Sequence, residues 1–166
     1  MPSTRRTRLA PVLALTGCAL VLGAAVTDYA LVHTDADADA GVRPAASANA
    51  PHCRRIADTA PTSLGGLARR DSALPGIAVW GDRAIVLRCG VTPPGPTGDP
   101  CFAVDGVDWV IDTAQSTHGR KVIVTYGRAP ATQVVFDGGG RTDAALVDLS
   151  RIVAPIRQTS SCVASG

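Results

Sequence analysis

The sequence predicts an α+β protein: a small, mostly antiparallel four-stranded sheet with two helices, preceded by an N-terminal transmembrane or signal helix. Three observations lead there. An uncharged apolar run stands directly behind an arginine-rich start, four Val- and Ile-rich stretches of strand length come later, and helical spacing of apolar residues flanks those strands. At 166 residues, with 46% hydrophobic and 18% charged residues, the chain has room for one domain plus an appendage. Those proportions exclude collagen-like, coiled-coil and polytopic membrane classes.

Residues 1–8 form a basic segment carrying Arg5, Arg6 and Arg8, and residues 9–27 carry no charge until Asp28. Eighteen apolar residues in a helix span about 27 Å, close to the hydrocarbon thickness of a bilayer. The arginines keep the first end in the cytoplasm, so the rest of the chain is expected outside. Three fates stay open for this segment. It can remain as a single-pass anchor, or be cut as a secretory signal near Gly23 to Ala25. Alternatively, Leu15, Thr16, Gly17 and Cys18 resemble a bacterial lipobox, which makes Cys18 the lipidation candidate.

Residues 28–50 turn to Ala, Asp, Ser, Pro and Gly, a composition that buries too little apolar surface to offset chain entropy, so a disordered linker is expected. Within it Asp35, Asp37 and Asp39 alternate with Ala and precede Gly41, as in a calcium loop. The glycine comes one place late and Ala46 stands where a bidentate Glu is required, which favours linker over metal site.

The folded domain is expected over residues 51–166. Cys53, Ile56, Ala57 and Ala60 keep helical spacing and stop at Pro61, predicting a short helix. Arg83 to Val91 reads as a strand with a contiguous apolar centre, covered on both faces. Val107 to Asp112, Lys121 to Tyr126 and Ala131 to Asp137 are three further strands, the last two joined through Gly127 to Pro130 as a hairpin. Thr142 opens a second helix with Asp143 in its first turn; Leu146, Leu149, Val153 and Ile156 share a face, and Pro155 marks its end.

Cys53, Cys89, Cys101 and Cys162 form an even set in a region expected outside the cell, so two disulfides are anticipated rather than a zinc site. Of the three pairings, we favour Cys89 with Cys101, clamping the loop Thr92 to Pro100, which leaves Cys53 with Cys162. No CxxC spacing suggests redox chemistry.

Little in the sequence points to catalysis. The basic residues are fifteen Arg and Lys121, the acids are fourteen Asp, and the net charge is +2, which gives no nucleic-acid footprint. The Arg and Asp bias fits a high-GC genome. His52 and His118 lie beside no nucleophile, and no GxSxG elbow occurs. Asp105, Asp108 and Asp112 make the best acidic cluster, with Asp105 preceding Gly106 in a turn and the other two sharing a strand face; turn and solvent-facing roles are favoured for them. Gly138, Gly139 and Gly140 before Thr142 lack the Lys of a phosphate loop, so a flexible connection is favoured. Trp80 and Trp109 offer either hot-spot or core side chains, packing being the commoner fate.

The segments VWGDRAIVLRCGV (Val79 to Val91), VDGVDWV (Val104 to Val110) and TYGRAP (Thr125 to Pro130) resemble the actinobacterial family called Domain of Unknown Function 3515. Members typically show a tryptophan-glycine-aspartate turn, an RCGV strand, a GVDW strand and a GR-x-P link. Arg83 departs from that pattern, standing where many relatives carry proline. The resemblance implies a membrane-anchored or lipidated extracytoplasmic protein with no established catalytic residues, and it hints at the cell envelope.

The expectation is therefore a non-catalytic binding or accessory module of an actinobacterial envelope. It sits at the membrane through its N-terminal segment, with an envelope protein or cell-wall component as partner, and without nucleic acid, metal or cofactor. Trp80, Asp82, Arg83, Asp105, Asp108, Trp109 and Arg128 are the candidate binding residues, at strand ends where loops carry function. Two alternatives remain: an envelope-acting hydrolase using Asp105, Asp108 and His118, and a purely structural partner of another membrane protein.

Overall fold

The structure is a computed structural model, and it describes residues 39–138 and 142–163. The basic segment 1–8, the anchor or signal segment 9–27 with Cys18, Asp35, Asp37 and the pair Gly139 and Gly140 lie outside the described residues. Among the described residues, no helix is long and apolar enough to cross a membrane.

Helix α1 (Pro51–Thr59) opens on a proline, whose missing N–H is no loss in a first turn. It buries Cys53, Ile56 and Ala57. Its last carbonyls lack helical partners and are taken by side chains of the sheet. Arg69 donates to Ala57 O at 2.5 Å and Ala60 O at 2.8 Å, and the Trp80 indole N–H donates to Pro61 O at 2.9 Å.

Eight strands follow: β1 (Ser63–Leu64), β2 (Leu67–Arg70), β3 (Ile77–Trp80), β4 (Ile85–Val91), β5 (Cys101–Val104), β6 (Val107–Ile111), β7 (Arg120–Thr125) and β8 (Ala131–Asp137). They form one sheet in the order β1-β2-β3-β4-β8-β7-β6-β5, and every pairing is antiparallel. Two hairpins have two-residue turns. Gly65 and Gly66 join β1 to β2, and Asp105 (φ 50°) with Gly106 (φ 75°) joins β5 to β6; both turns need positive φ at their two central residues. Helix α2 (Thr142–Val153) carries Asp143 in its first turn and Arg151 in its last, each sign matched to the helix dipole.

Both helices pack on one face of the sheet. The core there joins Ala78 and Trp80 of β3, Ile85, Leu87 and Cys89 of β4, Val134 and Phe136 of β8, Ile123 of β7 and Val107 and Trp109 of β6 to Ile56, Leu146, Leu149 and Val153 of the helices. Helix α2 contacts both outer strands, β1 and β5, so the sheet curls around it. The Trp109 indole N–H reaches the Ser150 hydroxyl of α2 at 3.0 Å, satisfying both buried polar groups.

The two expected helices and the antiparallel sheet covered by helix on one face are present, but the sheet has eight strands rather than four. The four additional strands, β1, β2, β3 and β5, have two to four residues each, too few for alternation to register in the sequence.

The favoured disulfide pairing is also corrected: the bonds are Cys53–Cys89 and Cys101–Cys162. After β4 the chain does not return beside it. It crosses to the far edge as β5, so Cys89 and Cys101 stand four strand spacings apart along the sheet, about 19 Å, against the 4–7 Å between Cα atoms that a disulfide needs. Instead Cys53 of α1 meets inward-facing Cys89 with Cα atoms 5.2 Å apart, and the tail brings Cys162 to within 5.9 Å of Cys101.

Residues 39–50, placed by composition in the linker, pack beside β3 and β4, with residues 40–43 bordering the helix-free face and Ala50 reaching the core. Ser47 N–H bonds Gly90 O at 3.0 Å, Asp39 accepts from the Ser72 hydroxyl and the Ala73 amide, and Ala48 is buried. The stretch needs no apolar run because glycines let its backbone approach the sheet: a Cβ at Gly90 (φ 100°) would collide with the Ser47–Ala48 peptide.

Candidate functional site

Side chains alternate across each strand, so the helix-free face is fixed by the same residues that fix the core. Opposite Ile85, Leu87 and Cys89, strand β4 presents Val86 and Arg88; β8 presents Gln133 and Val135 beside them, and β7 presents Val122 and Val124. Ile77 and Arg88 are direct partners across β3 and β4, as are Arg88 and Gln133 across β4 and β8.

A cleft of about 680 Å³ opens on this face. Val86, Arg88, Gln133 and Val135 form its floor. Ala40 to Arg43 make one wall, Gln115 and Arg120 the other, and Asp82, Arg83, Asp137 and Gly138 close its end. Arg83 sits at φ 57° and donates to Ala40 O at 2.7 Å, fastening the β3–β4 turn to the covering segment. The Nε of Arg88 is buried without a hydrogen-bond partner among the described residues.

A second hollow, about 730 Å³, lies at the other end of the sheet beside the Cys101–Cys162 bond, with Asp108, Tyr126 and Gln158 in its wall. Here most polar groups are already engaged, although Arg128 Nε, like Arg88 Nε, is buried with no hydrogen-bond partner among the described residues. Asp108 accepts from Gln158 Nε2 at 2.9 Å and from the Cys162 amide at 2.7 Å. Arg128, also buried, donates to the carbonyls of Ala154, Ile156 and Gly106. Burial lowers the Arg128 pKa from its usual value while the Asp108 charge opposes that shift. This constellation holds the C-terminal tail.

The structure separates the sequence-derived candidates. Trp80 and Trp109 are completely buried, so neither offers a binding surface. Asp82 and Arg83 line the cleft, whereas Asp105, Asp108 and Arg128 lie at the opposite end. Asp105 pairs with Arg151 at 3.2 Å on the surface. Asp112, beyond β6, accepts the Gln115 amide at 2.9 Å and thereby shapes the turn into β7. His118 follows in that turn, so β6 separates it from Asp105 and Asp108 by about 10 Å of strand. Sequence reasoning passed over Arg43, Arg88, Arg120 and Gln133. One signal was present: an arginine in the middle of the apolar run Ile85 to Val91.

A family described as proteins of unknown function, DUF3515, matches residues 11–161, nearly the whole chain. The chain belongs to the DUF3515 family. No curated protein and no solved structure matches it. In this DUF3515 chain the motifs quoted above serve chiefly to build the domain. Trp80 and Trp109 fill the core, Cys89 forms a disulfide, and Arg128 secures the tail. Gly127 lies so close to Ser160 that a Cβ there would strike its carbonyl. Arg83 stands at φ 57°, a conformation closed to proline, which is fixed near φ −65°.

Proposed function

We propose that the protein is a non-catalytic binding or accessory module of the cell envelope, held outside the membrane by residues 9–27, with the cleft over Val86, Arg88, Gln133 and Val135 as its binding site. The cleft carries this reading: a concave site on rigid strands, mixed polar and apolar, whose floor includes a buried Arg88 Nε with no hydrogen-bond partner among the described residues. Two disulfides support the extracytoplasmic placement, since such bonds persist in oxidising compartments. The hydrolase alternative is weakened by geometry, because Asp105 and Asp108 are remote from His118 and are engaged by Arg151, Gln158 and Cys162.

The test is thermal unfolding of the oxidised full chain against peptidoglycan fragments, cell-wall sugars, anionic lipids and divalent cations. A ligand at 100 times its Kd adds about 2.7 kcal/mol, a shift of several degrees. A shift abolished by substitution of the cleft floor is expected. No shift with any of the four classes opposes the binding module.

A further inference from the structure

The charge of the cleft narrows the class of ligand. Four guanidinium groups, from Arg43, Arg83, Arg88 and Arg120, face two carboxylates, Asp82 and Asp137, a surplus of two positive charges. The arginines come from the N-terminal covering segment, a turn and two strands, so they encircle the site. Among the described residues none of the four forms an ion pair, and Arg83 alone is held, by the Ala40 carbonyl. Arg88 projects from an interior strand between Ile77 and Gln133, and its Nε is buried with no acceptor. A buried N–H without an acceptor is unfavourable, as it also is at Arg128 Nε; at Arg88, which lines the open cleft, a ligand oxygen offers a partner.

We propose that the cleft binds a phosphate monoester carrying a small apolar portion, with Arg88 and Arg120 as donors to the phosphate and Val86 and Val135 beneath the apolar part. A carboxylate is satisfied by one guanidinium fork in one plane. A phosphate monoester brings nearly two negative charges and three acceptor oxygens pointing in different directions, which matches both the surplus charge and donors arriving from several sides. The cleft volume lies within the range of small-ligand sites. This inference rests on the cleft being the binding site of the proposed module.

Two sources supply that chemistry, a soluble phosphomonoester and a lipid headgroup. The full chain in a neutral detergent is titrated calorimetrically with inorganic phosphate, glycerol phosphate and acetate, and separately with micelles containing phosphatidic acid. Saturable phosphate binding is expected, weakened about tenfold or more by Arg88→Met and by Arg120→Gln, consistent with loss of a charged hydrogen bond. Arg88→Met keeps the apolar stem and removes the orphaned Nε, so its melting temperature is expected to be unchanged or higher; Arg120→Gln, at an exposed position, is the second variant. Tighter binding to phosphatidic acid than to glycerol phosphate assigns the lipid source, and equal binding assigns the soluble one. Acetate binding as well as phosphate, or phosphate affinity unchanged in both folded variants, overturns the proposal. A wall peptide or sugar that shifts the melting temperature while phosphate does not bind overturns the phosphate assignment and leaves the binding module standing.

Discussion

Asp108 accepts the backbone amide of Cys162 at 2.7 Å across 54 residues of sequence, so a carboxylate on β6 positions one half of the disulfide that closes the C-terminal tail. The same carboxylate takes Gln158 and offsets the buried charge of Arg128. One residue that the sequence offered as a binding or acid-base group is thus a fastening of the chain's end.

Asp108→Ala is expected to lower stability by about 1–3 kcal/mol, the cost of leaving buried donors without an acceptor. Denaturant unfolding of the oxidised protein measures it. The loss is expected to leave ligand response in the distant cleft intact at temperatures where the variant is folded; a variant as stable as the parent contradicts the role given to Asp108.

Each disulfide closes a long loop, 36 residues for Cys53–Cys89 and 61 for Cys101–Cys162, and the chain-entropy relation gives about 4 kcal/mol for each. Against a total stability of roughly 5–15 kcal/mol, reduction of both is expected to unfold the domain near body temperature. Circular dichroism with and without reductant reads the effect. Peptide mapping of the oxidised protein is expected to find Cys53 joined to Cys89, and a Cys89–Cys101 peptide excludes the fold described.

Gly90→Ala introduces a Cβ into the Ser47–Ala48 peptide at a backbone φ of 100°. Strain and displacement together are expected to cost about 2 kcal/mol or more. The covering segment 39–50 is expected to become the first site of proteolysis, whereas Gly95→Ala, which meets nothing within 4 Å, is expected to change neither stability nor cleavage. Equal digestion patterns in the two variants disprove the packing of that segment.

Trp109→Ala is expected to cost about 3–5 kcal/mol, as for other buried aromatics, and Trp109→Phe less, chiefly the bond to Ser150. Melting temperatures order the three proteins. Tryptophan emission from the parent is expected to be blue-shifted and resistant to soluble quenchers, since both indoles are buried; efficient quenching places a tryptophan on the surface.

What the sequence made legible follows from the range of each signal. Ala131–Asp137 agrees residue for residue with the reading from its Val content, and α2 starts at the anticipated Thr142. Asp105 and Gly106 were read as a turn, but the strand before them, Cys101–Val104, carries only four residues, too few for its alternation to register. The cleft was largely out of reach, because Arg43, Arg88 and Arg120 are far apart in the chain and meet only through sheet order and the path of residues 39–50. Arg88 alone carried a local signal, as a charge at the centre of an apolar strand.

The outer strands have a consequence for association. β1 has two residues, and the four of β5 end a sheet whose neighbouring tail is disulfide-bonded to Cys101; both strands also touch α2. Sheets grow between molecules by pairing of long exposed borders, and short borders guarded by a helix offer little template for it. A protein of this design can therefore be concentrated on a surface without its sheets fusing, and its copies meet through side chains rather than through shared backbone ladders.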